Sequence, residues 1–449
     1  MPIPAEHSTR FIYHFTLIDN LPGILEHGFN SPNKQRSFGL SHKSIAHQGI
    51  QFRRSTMPVT CGPGGVVHDY VPFYMCKRSS MLLAVVNAKN VDQQRLIYLA
   101  FPIMLIEQPT VVFTDASANT DDPPNFFSEP SDLTRLNWAA IDSLKWAMPD
   151  DAQKQARMAE VLVHQNMDMS HLGKIIVWND SIREMVYKIY RRAGLALPTV
   201  RTDSHHYFTK WPEEPNASLT TGPVLTKIEY KKTLKTVQEA ARNPLARHKD
   251  IVQLLSALHA NFNHLPETAE LVGLECDNPM HKEDAGTHTL SVVRELKKSP
   301  EFAALNPIGK LLTELAAYLH DIGKGPKARW IENGGIQKVD PDHPIGSVKM
   351  LRRILTEEVA AIDAEHARVL AKLVCYHDLI GDIIANGRDV EQLEEIAGSE
   401  GELDMLIALN LADTKALFEG WYVQLVREVP ALRARVLAKL NATSAPETE

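Results

Sequence analysis

A change of texture at residues 209–223 constrains this chain more than any other feature. Thr209–Pro223 holds Pro212, Pro215, Gly222 and Pro223 and has no apolar period, which is the composition of a linker. Before it, short β-branched or aromatic runs recur at Phe11–Phe15, Met81–Val86, Thr110–Phe113 and Ile175–Val177. Turns such as Cys61–Gly65 separate them, and helical stretches such as Leu21–Glu26 and Asp151–Val163 lie between them. After it, helical periodicity takes over, from Ile251–Phe262 to Ala431–Leu440, and strand signals almost vanish. The sequence therefore predicts a multidomain chain, an α+β unit with an antiparallel or mixed sheet followed by an all-helical bundle. The boundaries are 1–208, a linker with a connecting helix over 209–245, the bundle over 246–441, and a frayed tail over 442–449.

At 449 residues there is ample chain for two cores. Charge excludes a strongly basic nucleic-acid binder: residues 1–212 carry 21 Lys+Arg and 19 Asp+Glu, the remainder 27 and 36. The near-neutral first half can still hold a polyanion in a local groove. The acidic second half favours a small phosphorylated substrate held through metal ions. No apolar run reaches the roughly 18 residues of a membrane span, and the first ten residues lack a signal peptide's basic flank and apolar stretch. Four scattered Cys without a CxxC argue against a disulfide scaffold or a zinc finger. The expected setting is a reducing cytoplasm, with no membrane partner.

In the helical half His and Asp recur at helix ends: His288, His320–Asp321, His343, His377–Asp378 and Asp413. The gaps from 288 to 320, 321 to 343, 343 to 377 and 377 to 413 are 32, 22, 34 and 36 residues. Each is about one helix and its return, so the set can converge on one bundle interior. Imidazole and carboxylate donors suit Mn, Fe, Ni, Zn or Mg. Adjacent His320 and Asp321 allow one carboxylate to bridge two metals, a pair suited to clamping a phosphoester.

Residues 266–418 resemble an HD-domain phosphohydrolase. ELVGLECDNPMHKEDAGTHTLSVV is similar to the entry of the HD domain attached to bacterial CCA-adding enzymes, and LHDIGKG and AKLVCYHD continue the pattern. The resemblance implies metal ligands at His288, His320, Asp321 and Asp413, and a second-metal or phosphate-contacting role for His343 and His377. It implies phosphate binding by Lys324. His281 lies in matching surroundings, with the capping of a turn as the alternative.

The first half has no Walker loop, Rossmann fingerprint or GxSxG. It does place polar residues in apolar or aromatic settings: His14 in IYHFT, Arg53 and Arg54 in IQFRRS, and Glu160 ahead of an apolar run, where a carboxylate needs a partner or a function. The segments YHFTLIDNLPGILEHGF, IQFRRSTMPV, VVHDYVPFYMCKRSSMLLAV, VVFTDASAN and ARMAEVLVH resemble, in order and wording, the DarT family, bacterial toxins that ADP-ribosylate bases of single-stranded DNA. The resemblance runs from about Arg10 to Asn179 and implies an ADP-ribosyltransferase fold, a split β-sheet that grips NAD. It implies an NAD cleft lined by the segments holding Tyr13, His14, Phe15, Thr16, Asn20, Leu21 and Gly28. An Arg of IQFRRS, Arg54 in preference to Arg53, would hold the pyrophosphate or assist deprotonation of the target base. Glu160 matches the catalytic Glu. Where some relatives carry a His in the FTDASAN segment, this chain has Ser117 and Asn119, which leaves the target base open.

The chemistry is consistent with that implication. Cleaving the nicotinamide–ribose bond builds positive charge on the sugar, and a close carboxylate stabilises it. An Arg fork suits a diphosphate better than Lys does. Tyr70 and Tyr74 could stack an extruded base, with Lys77 and Arg78 on its phosphates. The reading is an NAD-dependent transferase acting on single-stranded DNA, fused to a phosphohydrolase that restrains it or processes its product. A separate antitoxin partner is left open. The alternatives are an RNA or nucleotide target with an HD phosphodiesterase, and an HD module that senses nucleotides without turnover.

Overall fold

The computed structural model describes residues 2–39, 48–118, 123–212, 214, 217–240, 242–280 and 282–444. Asn119, His281 and the end of the tail (445–449) lie outside the described residues. By contacts the chain divides into two units, Met1–Asn87 with Val91–Thr220, and Ala88–Asn90 with Thr221–Glu449.

The first unit is built on an eight-stranded mixed sheet. Its strands are β1 (Phe11–Leu17), β3 (Tyr70–Tyr74), β4 (Leu96–Pro102), β5 (Val111–Thr114), β6 (Phe126–Phe127), β7 (Glu160–His164), β9 (Lys174–Val177) and β10 (Val200–Thr202), in the order β10-β9-β4-β1-β3-β7-β5-β6. Two short strands, β2 (Phe29–Asn30) and β8 (Asn166–Met167), pair apart from it. The sheet is stitched unevenly. β1 pairs with β4 from Phe11↔Pro102 to Leu17↔Leu96, and β3 pairs with β7 from Tyr70↔His164 to Tyr74↔Glu160. Between β1 and β3 the register holds one pair, Tyr13↔Tyr74. Two half-sheets therefore meet at a seam, as the resemblance implied.

Both faces of the sheet are covered. Ile12, Phe73, Leu99 and Phe101 pack with Ile182, Val186 and Tyr190 of the Asp180–Arg192 helix, which buries every fourth residue. Asn179 caps that helix, its side-chain oxygen accepting from the Ile182 amide at 3.1 Å. On the other face Tyr13, Phe15, Tyr98 and Leu82 pack with Tyr207 and Phe208.

Two expectations are corrected here. Met81–Val86 is not a strand but lies in the helix Ser80–Asn87. The Ser79 hydroxyl accepts from the Leu82 amide at 3.1 Å, and Leu82 and Val86 are buried one turn apart. A short apolar run does not separate the two states by itself, and here the cap decides. Asp151–Val163 is helical only as far as Arg157. Glu160 then opens β7, which carries the β-branched Val161 and Val163 and pairs on both sides, with β3 and β5.

The second unit is helical. Pro307–Leu319 is buried without a break from Leu312 to Leu319, and Glu400–Leu417 from Met405 to Ala412. These two form the core, with Ala285–Lys298, His343–Arg353 and Ala364–Cys375 around them. Four of these five starts carry a side-chain cap: Asp284, Asn306, Asp363 and Ser399 accept from first-turn amides. No described helix is long and apolar enough to cross a membrane.

Candidate functional site

Glu160 is almost fully enclosed, with 1 % of its surface exposed. It opens a strand paired on both sides, so its backbone is fixed. The Glu160 amide donates to Thr114 Oγ1 at 3.1 Å, and its carboxylate receives the Arg54 guanidinium as a two-pronged pair, Nη1–Oε1 and Nη2–Oε2 both 2.9 Å. A third donor, the Ala118 amide, lies 3.3 Å from Oε1. Burial opposes the Arg54 charge, and the facing carboxylate overrides it and raises the pKa. Such a pair is expensive to enclose and is weak evidence for stability, so its retention points to use.

Helical phase separates the two arginines. In Gln48–Thr56 Arg54 turns inward and is buried, whereas its neighbour Arg53 is exposed. Across the seam, register lines up Tyr13, Tyr74 and Glu160 on one face of the sheet. Tyr74 also stacks on Phe15, ring centroids 5.5 Å apart. Burial, then the nearby Glu160 carboxylate, pushes the Tyr74 phenol far above its ordinary pKa, so it stays neutral.

Alternation along β1 sends His14 and Thr16 to the opposite face. There His14 Nδ1 lies 3.0 Å from the Pro72 carbonyl, and its ring meets Phe29 and Phe73 edge-on. Asn20 donates to Thr16 Oγ1 at 2.9 Å. Leu21 is a core residue with no exposed surface. Gly28 has φ of +66°, and a Cβ there would sit 2.8 Å from the Met167 carbonyl oxygen. Glycine is thus required for the approach of β2 to β8. The thirteenth to sixteenth residues therefore straddle the sheet, and the expected NAD-cleft residues fall in two groups about the seam.

The expected nucleic-acid contacts divide as well. Tyr70 has no exposed surface, and its hydroxyl donates to the Gly64 carbonyl at 2.7 Å, so it cannot offer a face to a base. Arg78 is committed to backbone carbonyls, Nη1 to Leu144 at 2.8 Å and Nε to His205 at 3.0 Å. Both are thus engaged within the protein, whereas Tyr74 is half-buried and the Lys77 side chain is 42 % exposed. Tyr70→Phe is expected to lower stability by about 1 kcal/mol, the value of one buried hydrogen bond, and to leave oligonucleotide affinity unchanged. Thermal melting and fluorescence anisotropy check the two halves of that prediction.

In the second unit the six expected residues meet at one end of the bundle. His320 Nε2 is 3.3 Å and His288 Nε2 3.8 Å from Asp321 Oδ2. His343 Nε2 is 3.2 Å and His377 Nε2 4.0 Å from Asp321 Oδ1. Asp413 Oδ1 lies 2.9 Å from His288 Nε2. The two oxygens of Asp321 thus face different groups of histidines. Three sets of donors, each closely enough gathered to hold one ion, overlap here: His288–His320–Asp321, Asp321–His343–His377 and His377–Asp378–Asp413. Asp378 was visible in CYHD and is an addition to the expected ligands.

The donor chemistry fits divalent cations. Nδ1 of His320, His343 and His377 each faces a backbone carbonyl, of Ala317, Asp340 and Val374, at 2.8, 2.9 and 2.9 Å. With Nδ1 as the donor, each Nε2 presents a lone pair to the centre, and those of His343 and His377 lie only 3.0 Å apart. Two facing lone pairs call for a positive charge between or beside them. Asp321 draws positive charge to this centre: it overrides the burial of His320 and raises that ring's pKa to about 9, so a proton on Nε2 and a bound cation would compete for the same lone pair. The same carboxylate holds Lys324, Nζ–Oδ2 2.6 Å, and sits well below the usual carboxylate range because Lys324 and His320 outweigh its burial.

Two supports were not anticipated. The Ser347 hydroxyl donates to the His320 carbonyl and accepts from the Gly323 amide at 2.9 Å. Asn410 donates to the His377 carbonyl at 2.8 Å. Gly323 itself packs directly on the next helix: a Cβ would meet the His343 carbonyl at 2.1 Å and the Ser347 amide at 2.2 Å. Gly323→Ala is therefore expected to cost about 3 kcal/mol by overpacking and to displace His343. Melting temperature and bound-metal content measure both effects.

Residues 13–208 match the family model described as ssDNA thymidine ADP-ribosyltransferase, DarT, and residues 286–437 match the HD domain. A DNA ADP-ribosyl transferase of Thermus sp. (strain 2.9) is 35 % identical over 191 residues, which cover 40 % of this chain and 87 % of that one. A DNA ADP-ribosyl transferase-DNA ADP-ribosyl glycohydrolase fusion protein of Thermosipho africanus is 21 % identical over 40 % of this chain and 45 % of its own. A solved structure of the Thermus sp. 2.9 protein with ADP-ribosylated ssDNA aligns at 31 % identity over 46 % of this chain and 99 % of that chain, with a TM-score of 0.42.

Proposed function

Because this chain belongs, through residues 13–208, to the DarT family of ssDNA ADP-ribosyltransferases and carries an HD domain behind it, we propose that Glu160 and Arg54 are the pair that moves ADP-ribose from NAD to a DNA base. The observation that carries this is the buried two-pronged contact between them on the first residue of β7. Glu160 faces the sugar as positive charge develops at its anomeric carbon and fixes the 2′-hydroxyl. Arg54 leaves the carboxylate for the diphosphate when NAD enters, as its planar fork permits. The dinucleotide lies at the seam, with His14, Thr16 and Asn20 on the β1 side. Neutral Tyr74 bounds the reacting sugar from the opposite strand, and Lys77 meets the nucleic-acid backbone.

The HD domain is a metal-dependent phosphohydrolase in this reading. His288, His320, Asp321 and Asp413 would hold one divalent ion, and Asp321, His343 and His377 with Asp378 a second. Such ions supply a polarised phosphoryl oxygen and an activated water. Lys324, which donates to Asp321 Oδ2 at 2.6 Å at the edge of this cluster, would bind substrate phosphate. The match of residues 286–437 to the HD domain, with paired carboxylate and imidazole donors gathered around Asp321, supports a phosphodiester or cyclic phosphate as its substrate class.

The test is mass spectrometry of single-stranded DNA, and of a matched RNA, incubated with NAD and the full chain. A gain of one ADP-ribose unit on DNA is expected. Gain on RNA alone moves the target to the alternative reading. Restraint of the transferase by its fused hydrolase predicts that His320→Ala with Asp321→Ala raises toxicity in growing cells without changing transfer. Unchanged growth removes restraint as the reason for the fusion.

A further inference from the structure

Thr114, the last residue of β5, is fully buried, and its hydroxyl is used twice. Oγ1 accepts from the Glu160 amide at 3.1 Å and donates to the Ala116 carbonyl at 2.7 Å. A hydroxyl carries one proton, so the carbonyl takes it and a lone pair is left for the amide. The strand register explains the first bond. β5 runs beside β7 from Val111↔Val163 to Phe113↔Val161 and stops one rung short of Glu160. The Thr114 side chain supplies the acceptor that the next rung would have given. The second bond turns the chain. Two residues beyond the held carbonyl, Ala118 spans the acid–arginine pair with no exposed surface. Its amide lies 3.3 Å from Glu160 Oε1, and its carbonyl accepts from Arg54 Nη1 at 3.4 Å. Between them Asp115 is tied separately, Oδ1 accepting from the Asn125 amide at 3.0 Å and Oδ2 from the Asn125 side chain at 2.6 Å. Thr114 thus holds the backbone of Glu160 directly and its carboxylate through Ala118.

The two oxygens of Glu160 are therefore not equivalent. Oε1 has two donors, Arg54 Nη1 and the Ala118 amide, whereas Oε2 has one among the described residues, Arg54 Nη2. When the guanidinium turns to a diphosphate, Oε1 keeps a backbone donor and Oε2 loses its own. A carboxylate oxygen enclosed without a donor is costly, and the 2′-hydroxyl of the ribose is the donor that the substrate brings. We infer that Thr114 is a positioning residue for the transfer: through the turn at 116–118 it pins Oε1 to the Ala118 amide and so aims Oε2 at the sugar. A carboxylate held by one oxygen in this way keeps its orientation for the reacting centre. The inference rests on the proposed role of Glu160 and adds to it which oxygen meets the ribose and which side chain selects it.

The experiment measures oligonucleotide modification by mass spectrometry in the full chain, with kcat referred to the number of NAD-binding sites found by calorimetric titration, so that unfolded protein does not count. Thr114→Val keeps the shape and removes both hydrogen bonds, and Thr114→Ser keeps both. Thr114→Val is expected to lower kcat about tenfold, the scale of one orienting hydrogen bond, and to leave KM for NAD within about twofold. Thr114→Ser restores kcat to within about twofold of the unaltered chain. Placed in the Glu160→Gln background, Thr114→Val costs less than about twofold more, because a residue that acts only through Glu160 then has no charge left to aim. Thr114→Ala removes the hydroxyl without adding bulk to the turn, and gives the same pattern should Val crowd it. An unchanged kcat in Thr114→Val overturns the assignment. So does a loss confined to KM for NAD, or an equal loss in the Glu160→Gln background, which would leave Thr114 a part of the fold alone. Failure of the underlying reading looks different, because Glu160→Gln by itself then modifies DNA at nearly the unaltered rate.

Discussion

Glu160→Gln lowers ADP-ribose transfer by about a thousandfold, the upper range for removing one group that stabilises developing charge. Gln keeps the shape and one acceptor for Arg54 but carries no charge to set against the oxocarbenium-like sugar. The loss falls on kcat, because the charge it answers exists only in the transition state. The substitution also leaves the Arg54 guanidinium enclosed without its anion, a cost to folding of about 3 kcal/mol, visible as a lower melting temperature. Arg54→Lys separates binding from chemistry. A point charge cannot reproduce the fork, so KM for NAD rises, and the defect exceeds that of the exposed Arg53→Lys by at least tenfold. Oligonucleotide mass spectrometry with varied NAD measures all three. A Glu160→Gln protein that still modifies DNA within tenfold of the unaltered rate removes Glu160 from the reaction.

Asp321→Asn empties the second unit of metal. Each oxygen of Asp321 faces a different group of histidines, so one substitution removes a ligand from both. Affinity for divalent ions falls by at least a hundredfold, beyond the 10- to 100-fold typical of losing a mere outer-shell partner. Hydrolysis of a phosphodiester falls below detection, and transfer of ADP-ribose by the other unit continues. Elemental analysis of the purified chain reads the first effect and paired assays the others. Retained metal in this variant means that the histidines hold it without the carboxylate, and the bridging role is then wrong.

The two sites were legible to different depths. The proposed metal ligands could be found by counting, because His and Asp at intervals of a helix and its return have few other reasons to recur. What counting missed was the support. Ser347 and Asn410 act on the carbonyls of His320 and His377, and a hydroxyl or amide in a helix gives no sign of which carbonyl it will meet. In the first unit, segment resemblance located Glu160, but the helical reading of its surroundings hid the strand that fixes it. The choice between Arg53 and Arg54 is a question of rotational phase that a nine-residue helix decides only by packing. The Ala118 amide could not be foreseen at all, since a backbone donor carries no side-chain signature. Tyr70 and Arg78 show the reverse: aromatic and basic residues crowded in one segment resembled a ligand surface, while hydrogen bonds to backbone carbonyls had already engaged them.

The lone Tyr13↔Tyr74 pair has a mechanical consequence. Two ladders joined by one rung can breathe apart there without melting either, because every other strand keeps its own neighbours. Glu160 travels with one ladder and His14 with the other. A dinucleotide lodged against both would serve as a removable clasp, so occupancy of the cleft slows amide exchange at the joint and leaves the outer strands as they were.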